Sequence, residues 1–101
     1  MNYRLDFHED VENDSYEAYE WYENKTPGLG ERYLVAVSKT LEQIAKNPEA
    51  FGERSHRGRR EAPLNIFPYV IVYKIYKRNK AVFINSIHHT SKHPRKKIRN
   101  K

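Results

Sequence analysis

The sequence predicts one α+β domain: an N-terminal strand, an antiparallel helical hairpin, then a mostly antiparallel three-strand unit completing one sheet. Three observations carry this. Apolar residues alternate at the start of the chain, recur at spacings of three and four from residue 9 to residue 46, and return as short β-branched and aromatic runs between residues 61 and 88. An order of one strand, two helices and three strands places the hairpin on one face of a single sheet. The 101 residues suffice for one core, so residues 1–101 form a single domain, with a basic tail from about residue 89 to residue 101.

In the first element Tyr3, Leu5 and Phe7 alternate with Arg4, Asp6 and His8, the period of a half-buried strand. From Glu9 to Lys25 the stripe is Val11, Ser15, Ala18, Tyr19 and Tyr22. Glu12, Glu17, Glu20 and Glu23 fall mostly off that stripe and solvate the helix. Thr26 before Pro27 is a natural N-cap followed by proline at a first helical position. The second helix then shows Leu29, Tyr33, Val37, Leu41 and Ile44, closed by Asn47 and Pro48. Trp21, Tyr22 and Tyr33, aromatic at helical spacing, are expected to pack in the core or within the hairpin.

FGERSHRGRR, residues 51–60, has no periodicity and reads as a basic loop. EAPLN is a short strand that Pro63 assigns to an edge or a bulge. FPYVIVYKIY, residues 67–76, is apolar on both faces over Val70 to Val72 and reads as a buried strand. KRNK makes a polar turn, and AVFINSIH, residues 81–88, returns as its hairpin partner. His88 falls at a strand end, with its ring expected to be half exposed.

Charge is divided along the chain. Residues 1–50 carry five Lys/Arg against eleven Asp/Glu, and residues 51–101 carry fourteen against two. A half with that excess is suited to polyanions, and the basic groups should gather on the sheet's rim or on the face away from the helices. With no cysteine there is no disulfide, thiolate metal site or Cys nucleophile. No apolar run approaches the ~20 residues of a membrane span, and MNYRLDF has no signal-peptide pattern, so a cytoplasmic protein without a membrane partner is expected.

Four stretches, YEWYENKTPGLGERYL (19–34), LEQIAKNPEAF (41–51), RREAPLNIFPYVIVYKI (59–75) and SIHHTSKHP (86–94), occur in an order and spacing that resembles the RelE/ParE toxins of bacterial type II toxin-antitoxin modules. The resemblance spans almost the whole chain. It implies a small growth-inhibiting toxin, of the kind that stabilises plasmids, held inactive by a cognate antitoxin. One branch of the family cleaves mRNA on the ribosome and the other inhibits DNA gyrase.

Metal-free RNA cleavage needs a base for the 2′-OH, an acid for the 5′-oxygen and cations on the phosphate. His89, Arg60 and Lys92 are the catalytic candidates, with His88, Arg59, Tyr73 and Tyr76 as possible helpers. Against cleavage, the mRNA-cutting relatives place an arginine on the central strand where this sequence has Pro68, Tyr69, Val70 and Ile71, and they end on a Tyr or His-Tyr pair that is missing here. The FPY form and His89-Thr90-Ser91-Lys92 look ParE-like. The expectation is therefore a target-binding toxin directed at DNA gyrase. The alternatives are a ribosome-dependent mRNA endonuclease and a non-toxic nucleic-acid-binding module. Arg59, Arg60, Lys92, Arg95, Lys96 and Lys97 are the expected contacts to antitoxin or target. No cofactor is implied. His89 and His93 stand four apart, but they follow a strand and precede Pro94, so no metal site is expected.

Overall fold

The structure, a computed structural model, describes residues 2–52 and 58–91. The expected contacts Lys92, Arg95, Lys96 and Lys97, His93 and the middle of the basic loop lie outside the described residues. Strand β1 (Arg4–Phe7) leads into helices α1 (Val11–Lys25) and α2 (Leu29–Lys46), followed by strands β2 (Arg59–Pro63), β3 (Tyr69–Tyr76) and β4 (Ala81–His89). They form one four-stranded sheet in the order β1-β4-β3-β2. The last three strands are antiparallel, while β1 runs parallel to β4. Pro63 ends an edge strand, where its missing N–H breaks no interior ladder.

The helices cover one face of this sheet. Val11, Ala18 and Tyr22 of α1 and Tyr33, Val37 and Ile44 of α2 pack with Ile71 and Tyr73 of β3 and with Val82, Ile84 and Ile87 of β4. The spacing 82, 84, 87 departs from strict alternation because Asn85 is an extra β4 residue. It sits between the pairs Tyr73↔Ile84 and Val72↔Ser86. This bulge resets the pleat, so that Ile84 and Ile87 both point to the core. Phe7, assigned by alternation to the half-buried strand, is 47% exposed at the open side of β1.

Several local expectations are corrected. Helix α1 begins at Val11, two residues late. Helix α2 is capped by Gly28 (φ 90°), with Thr26 and Pro27 in the preceding turn. The Glu23 carboxylate does more than solvate α1: it accepts the backbone N–H groups of Gly28 and Gly30, both at 2.9 Å. A carboxylate there also suits the positive end of the α2 dipole. Strand β3 starts at Tyr69, two residues later than expected. His88 is buried, with Nδ1 3.4 Å from Ser86 Oγ.

Arg59 and Arg60 belong to β2 instead of a loop, and as neighbours on a strand they point to opposite faces. Arg60 Nη1 donates to the Phe51 carbonyl at 2.6 Å, and the buried Tyr73 hydroxyl donates to the Pro48 carbonyl at 2.6 Å. Lys77 adds an exposed ion pair to Glu49 at 2.8 Å. Two strand side chains and Lys77, just past the end of β3, thus pin residues 48–51 at and after the 3-10 turn Pro48–Ala50 that follows α2.

Burial pushes the Tyr73 hydroxyl up to about 12, against the opposing pull of nearby Arg60. An unfolded tyrosine ionises near ~10. The stabilisation from the neutral hydroxyl is therefore complete below pH ~10 and is lost as pH rises towards 12. Tyr73→Phe should cost about 1 kcal/mol at neutral pH, since the Pro48 carbonyl loses its donor. It should also reduce the fall in urea midpoint between pH 8 and pH 11. A fall as steep as in the wild type would assign the alkaline sensitivity to another group.

Candidate functional site

Where β3 begins and β4 ends, a cleft opens between the sheet and α1. Asp14, Glu17, Ala18, Trp21 and Tyr22 supply one wall, at the three- and four-residue spacings of a single helix face. Pro68, Tyr69, Ile87, His88, His89 and Ser91 supply the other, enclosing ≈ 610 Å³. Tyr69 and His89 are cross-strand partners with ring centroids 5.2 Å apart. Thr90 N–H donates to the Pro68 carbonyl at 2.8 Å, carrying the pairing one step past the strand end.

His89 Nδ1 accepts the Ser91 backbone N–H at 3.0 Å and lies 2.8 Å from Ser91 Oγ. A backbone N–H can only donate, so Nδ1 holds the lone pair and the neutral ring carries its proton on Nε2. The free nitrogen of this imidazole is thus already protonated.

The expected catalytic group is not assembled among the described residues. His89 pairs with Tyr69 while Arg60 pairs with Tyr73. That is four residues along β3, roughly 13 Å at the rise of a strand, and Arg60 is committed to Phe51. Arg59 pairs with Lys74 at the same far end, so two cations lie side by side on the face away from the helices. No Lys or Arg among the described residues lines the cleft, whereas Asp14 and Glu17 do. No group of three or more His, Asp or Glu side chains among the described residues is placed to hold a metal ion.

Trp21 departs from its expected place. Its neighbour Tyr22 enters the core, stacking on Tyr33 and meeting Phe67 edge-on, while Trp21 stays 56% exposed at the cleft mouth. The available signal was its position off the stripe of Val11, Ala18 and Tyr22.

A second depression, ≈ 650 Å³, lies between the outer face of α2 and the connection from β2 to β3. Val35, Leu64, Ile66 and Phe67 form its apolar floor, and Glu31, Arg32 and Lys39 are on its rim. Ile66 is 76% exposed and takes φ 76°, a strained conformation for a β-branched residue.

Residues 5–94 match the family model described as ParE toxin of type II toxin-antitoxin system, parDE. The chain belongs to the ParE toxin family. The expected resemblance to RelE/ParE toxins, with its leaning to ParE, is thereby borne out. The toxin of the chromosomal ParDE system from P. aeruginosa superposes with a TM-score of 0.67 at 20% identity, covering 88% of this chain and 97% of that one. The RelBE2 toxin-antitoxin complex from Mycobacterium tuberculosis gives 0.61 at 18% identity, covering 91% and 95%. The isolated E. coli RelE toxin gives 0.59 at 20% identity, covering 90% and 87%. At these identities the likeness shows the shared fold. A comparison with curated proteins finds no match. Among the described residues, no helix of this ParE-family toxin is long and apolar enough to cross a membrane.

Proposed function

We propose that this toxin arrests growth by binding a cytoplasmic protein target, DNA gyrase, and does not cut mRNA. The observation that carries this reading is the cleft beside His89. Its described lining offers two carboxylates and no cation to a scissile phosphate, where phosphoryl chemistry requires positive charge on the equatorial oxygens. The His89 tautomer supports the same reading, because a general base needs a free lone pair within reach of the 2′-OH.

A cognate antitoxin holds the toxin inactive. Toxins of this fold have been solved as toxin-antitoxin complexes, among them RelBE2 and E. coli RelBE. The groove of Val35, Leu64 and Ile66 suits the apolar face of an antitoxin helix. An acidic antitoxin segment suits Arg59, Lys92, Arg95, Lys96 and Lys97 in the half of the chain with fourteen basic against two acidic residues. Exchanging Lys92 and Arg95 for Glu should weaken the complex at least tenfold, and unchanged affinity would remove the tail from the interface.

Two assays decide the target. Purified toxin should inhibit gyrase supercoiling, and it should leave the message on programmed ribosomes intact in primer extension, for wild type and His89→Ala alike. New cuts in the ribosomal A site that vanish in His89→Ala would make the protein an mRNA endonuclease instead.

A further inference from the structure

The charge of the cleft is opposite to that of the half of the chain that forms its sheet wall. Residues 51–101 carry an excess of twelve positive charges (fourteen basic, two acidic), yet the pocket they enclose with α1 is lined by Asp14, Glu17, three large aromatic rings and two histidines, with no Lys or Arg among the described residues. Asp14 is occupied by the Ile87 amide. Glu17 is the carboxylate available to a ligand, since its one hydrogen bond among the described residues is a long 3.4 Å contact from Asn13.

Trp21 stands four residues after Glu17, on the same side of α1. Its ring already attracts a cation, with Lys25 Nζ 4.8 Å from the centroid, and Lys25 is not among the residues that line the cleft. Tyr22 meets Trp21 edge-on at 5.2 Å, and Tyr69 closes the opposite wall. An indole face beside a carboxylate is the arrangement that receives a planar cation, which stacks on the ring and donates a fork of N–H groups to the oxygens. Phosphate and nucleic-acid backbone are repelled by the same carboxylate.

We propose that the cleft between α1 and the ends of β3 and β4 is a receptor for an arginine side chain of the toxin's protein target, with Trp21 as the stacking surface and Glu17 as the carboxylate partner. This rests on the target-binding reading and gives it a chemical determinant. The target is assigned over the antitoxin on charge. An antitoxin that complements the basic half of the chain is itself acidic there, leaving the acidic cleft to a basic segment from elsewhere.

Trp21 is the only tryptophan, so its fluorescence reports the cleft directly. Titration with the peptide acetyl-Gly-Arg-Gly-amide should give a saturable change. The citrulline peptide, which keeps the shape and loses the charge, and AMP should bind at least fivefold more weakly. Glu17→Gln should weaken arginine binding at least fivefold, while Glu20→Gln, on the same helix but outside the cleft, should leave it unchanged. Equal responses to citrulline or AMP, or indifference to Glu17→Gln, would overturn the proposal whether or not gyrase is the target. In cells, Glu17→Gln should relieve growth arrest without altering antitoxin affinity. Loss of antitoxin affinity in its place would overturn the assignment to the target.

Discussion

Asp14→Ala should lower the stability of the fold by about 2 kcal/mol, read as a shift of the urea midpoint without a change in slope. The cause lies in the unequal lengths of β1 and β4. Strand β1 pairs only with Ala81 to Ile84, and the His8 N–H to the Ile84 carbonyl at 2.9 Å is the last rung. Beyond it β4 continues to His89, paired with β3 on one side and facing α1 on the other. There the Ile87 N–H donates to Asp14 Oδ2 at 3.2 Å, so a side chain of α1 replaces the missing strand. Asp14 is 7% exposed. Alanine would leave the amide without an acceptor where water has little access, at the cost of an unsatisfied buried donor. Asparagine keeps a carbonyl oxygen in place and should lose less than half as much. A midpoint unmoved in Asp14→Ala would mean that water reaches Ile87. Asp14 also lines the cleft, so its loss should loosen the wall that positions Glu17 and Trp21.

The parts of this architecture readable beforehand are those written in hydrophobic period. The stripe of Tyr33, Val37 and Ile44 defines α2, the run Val70 to Val72 marks β3, and Pro63 identifies an edge. Departures arise where one side chain serves two elements. Glu23 looks like any acidic residue on a solvated helix until the start of α2 is folded back against it. Arg60 looks like a phosphate contact in a basic loop until β2 pairs with β3 and brings it to Phe51. Asp14 falls between two stripe positions, and only the shortness of β1 turns it inward. The cleft suffers most from this. Its walls come from α1 and from Tyr69 and His89, far apart in the chain, and no local pattern announces their meeting. Parallel pairing of β1 with β4 is likewise a tertiary fact, set by passage of the hairpin over the sheet before the last strand returns.

Gly30 should be the least replaceable glycine among Gly28, Gly30 and Gly52. A Cβ built at Gly30 meets the Tyr19 carbonyl oxygen at 2.7 Å, the Tyr19 ring at 2.7 Å and Glu23 Oε1 at 2.8 Å. The ring can turn aside, but the carbonyl belongs to the α1 backbone and cannot move without it. Alanine must therefore push α1 and α2 apart, which also pulls the Gly28 and Gly30 amides from Glu23. A loss of about 2–3 kcal/mol is expected for Gly30→Ala, from overpacking together with a broken cap. Gly28 has open space around it but φ 90°, so alanine there should cost only about 1 kcal/mol of backbone strain. Gly52 has neither constraint, and its alanine variant should be nearly silent. Urea midpoints in the order Gly30→Ala lowest, Gly28→Ala intermediate and Gly52→Ala unchanged would establish close helix approach as the reason for the PGLG turn. If Gly28→Ala fell lowest, the turn would be governed by its left-handed residue and the α1–α2 separation would be free to adjust. The same spacing sets the tilt of α1 over the sheet. Gly30→Ala should therefore also change the emission of Trp21, which lies on α1 between Tyr19 and Glu23, the two residues that a Cβ at Gly30 meets, through movement of the helix as a body.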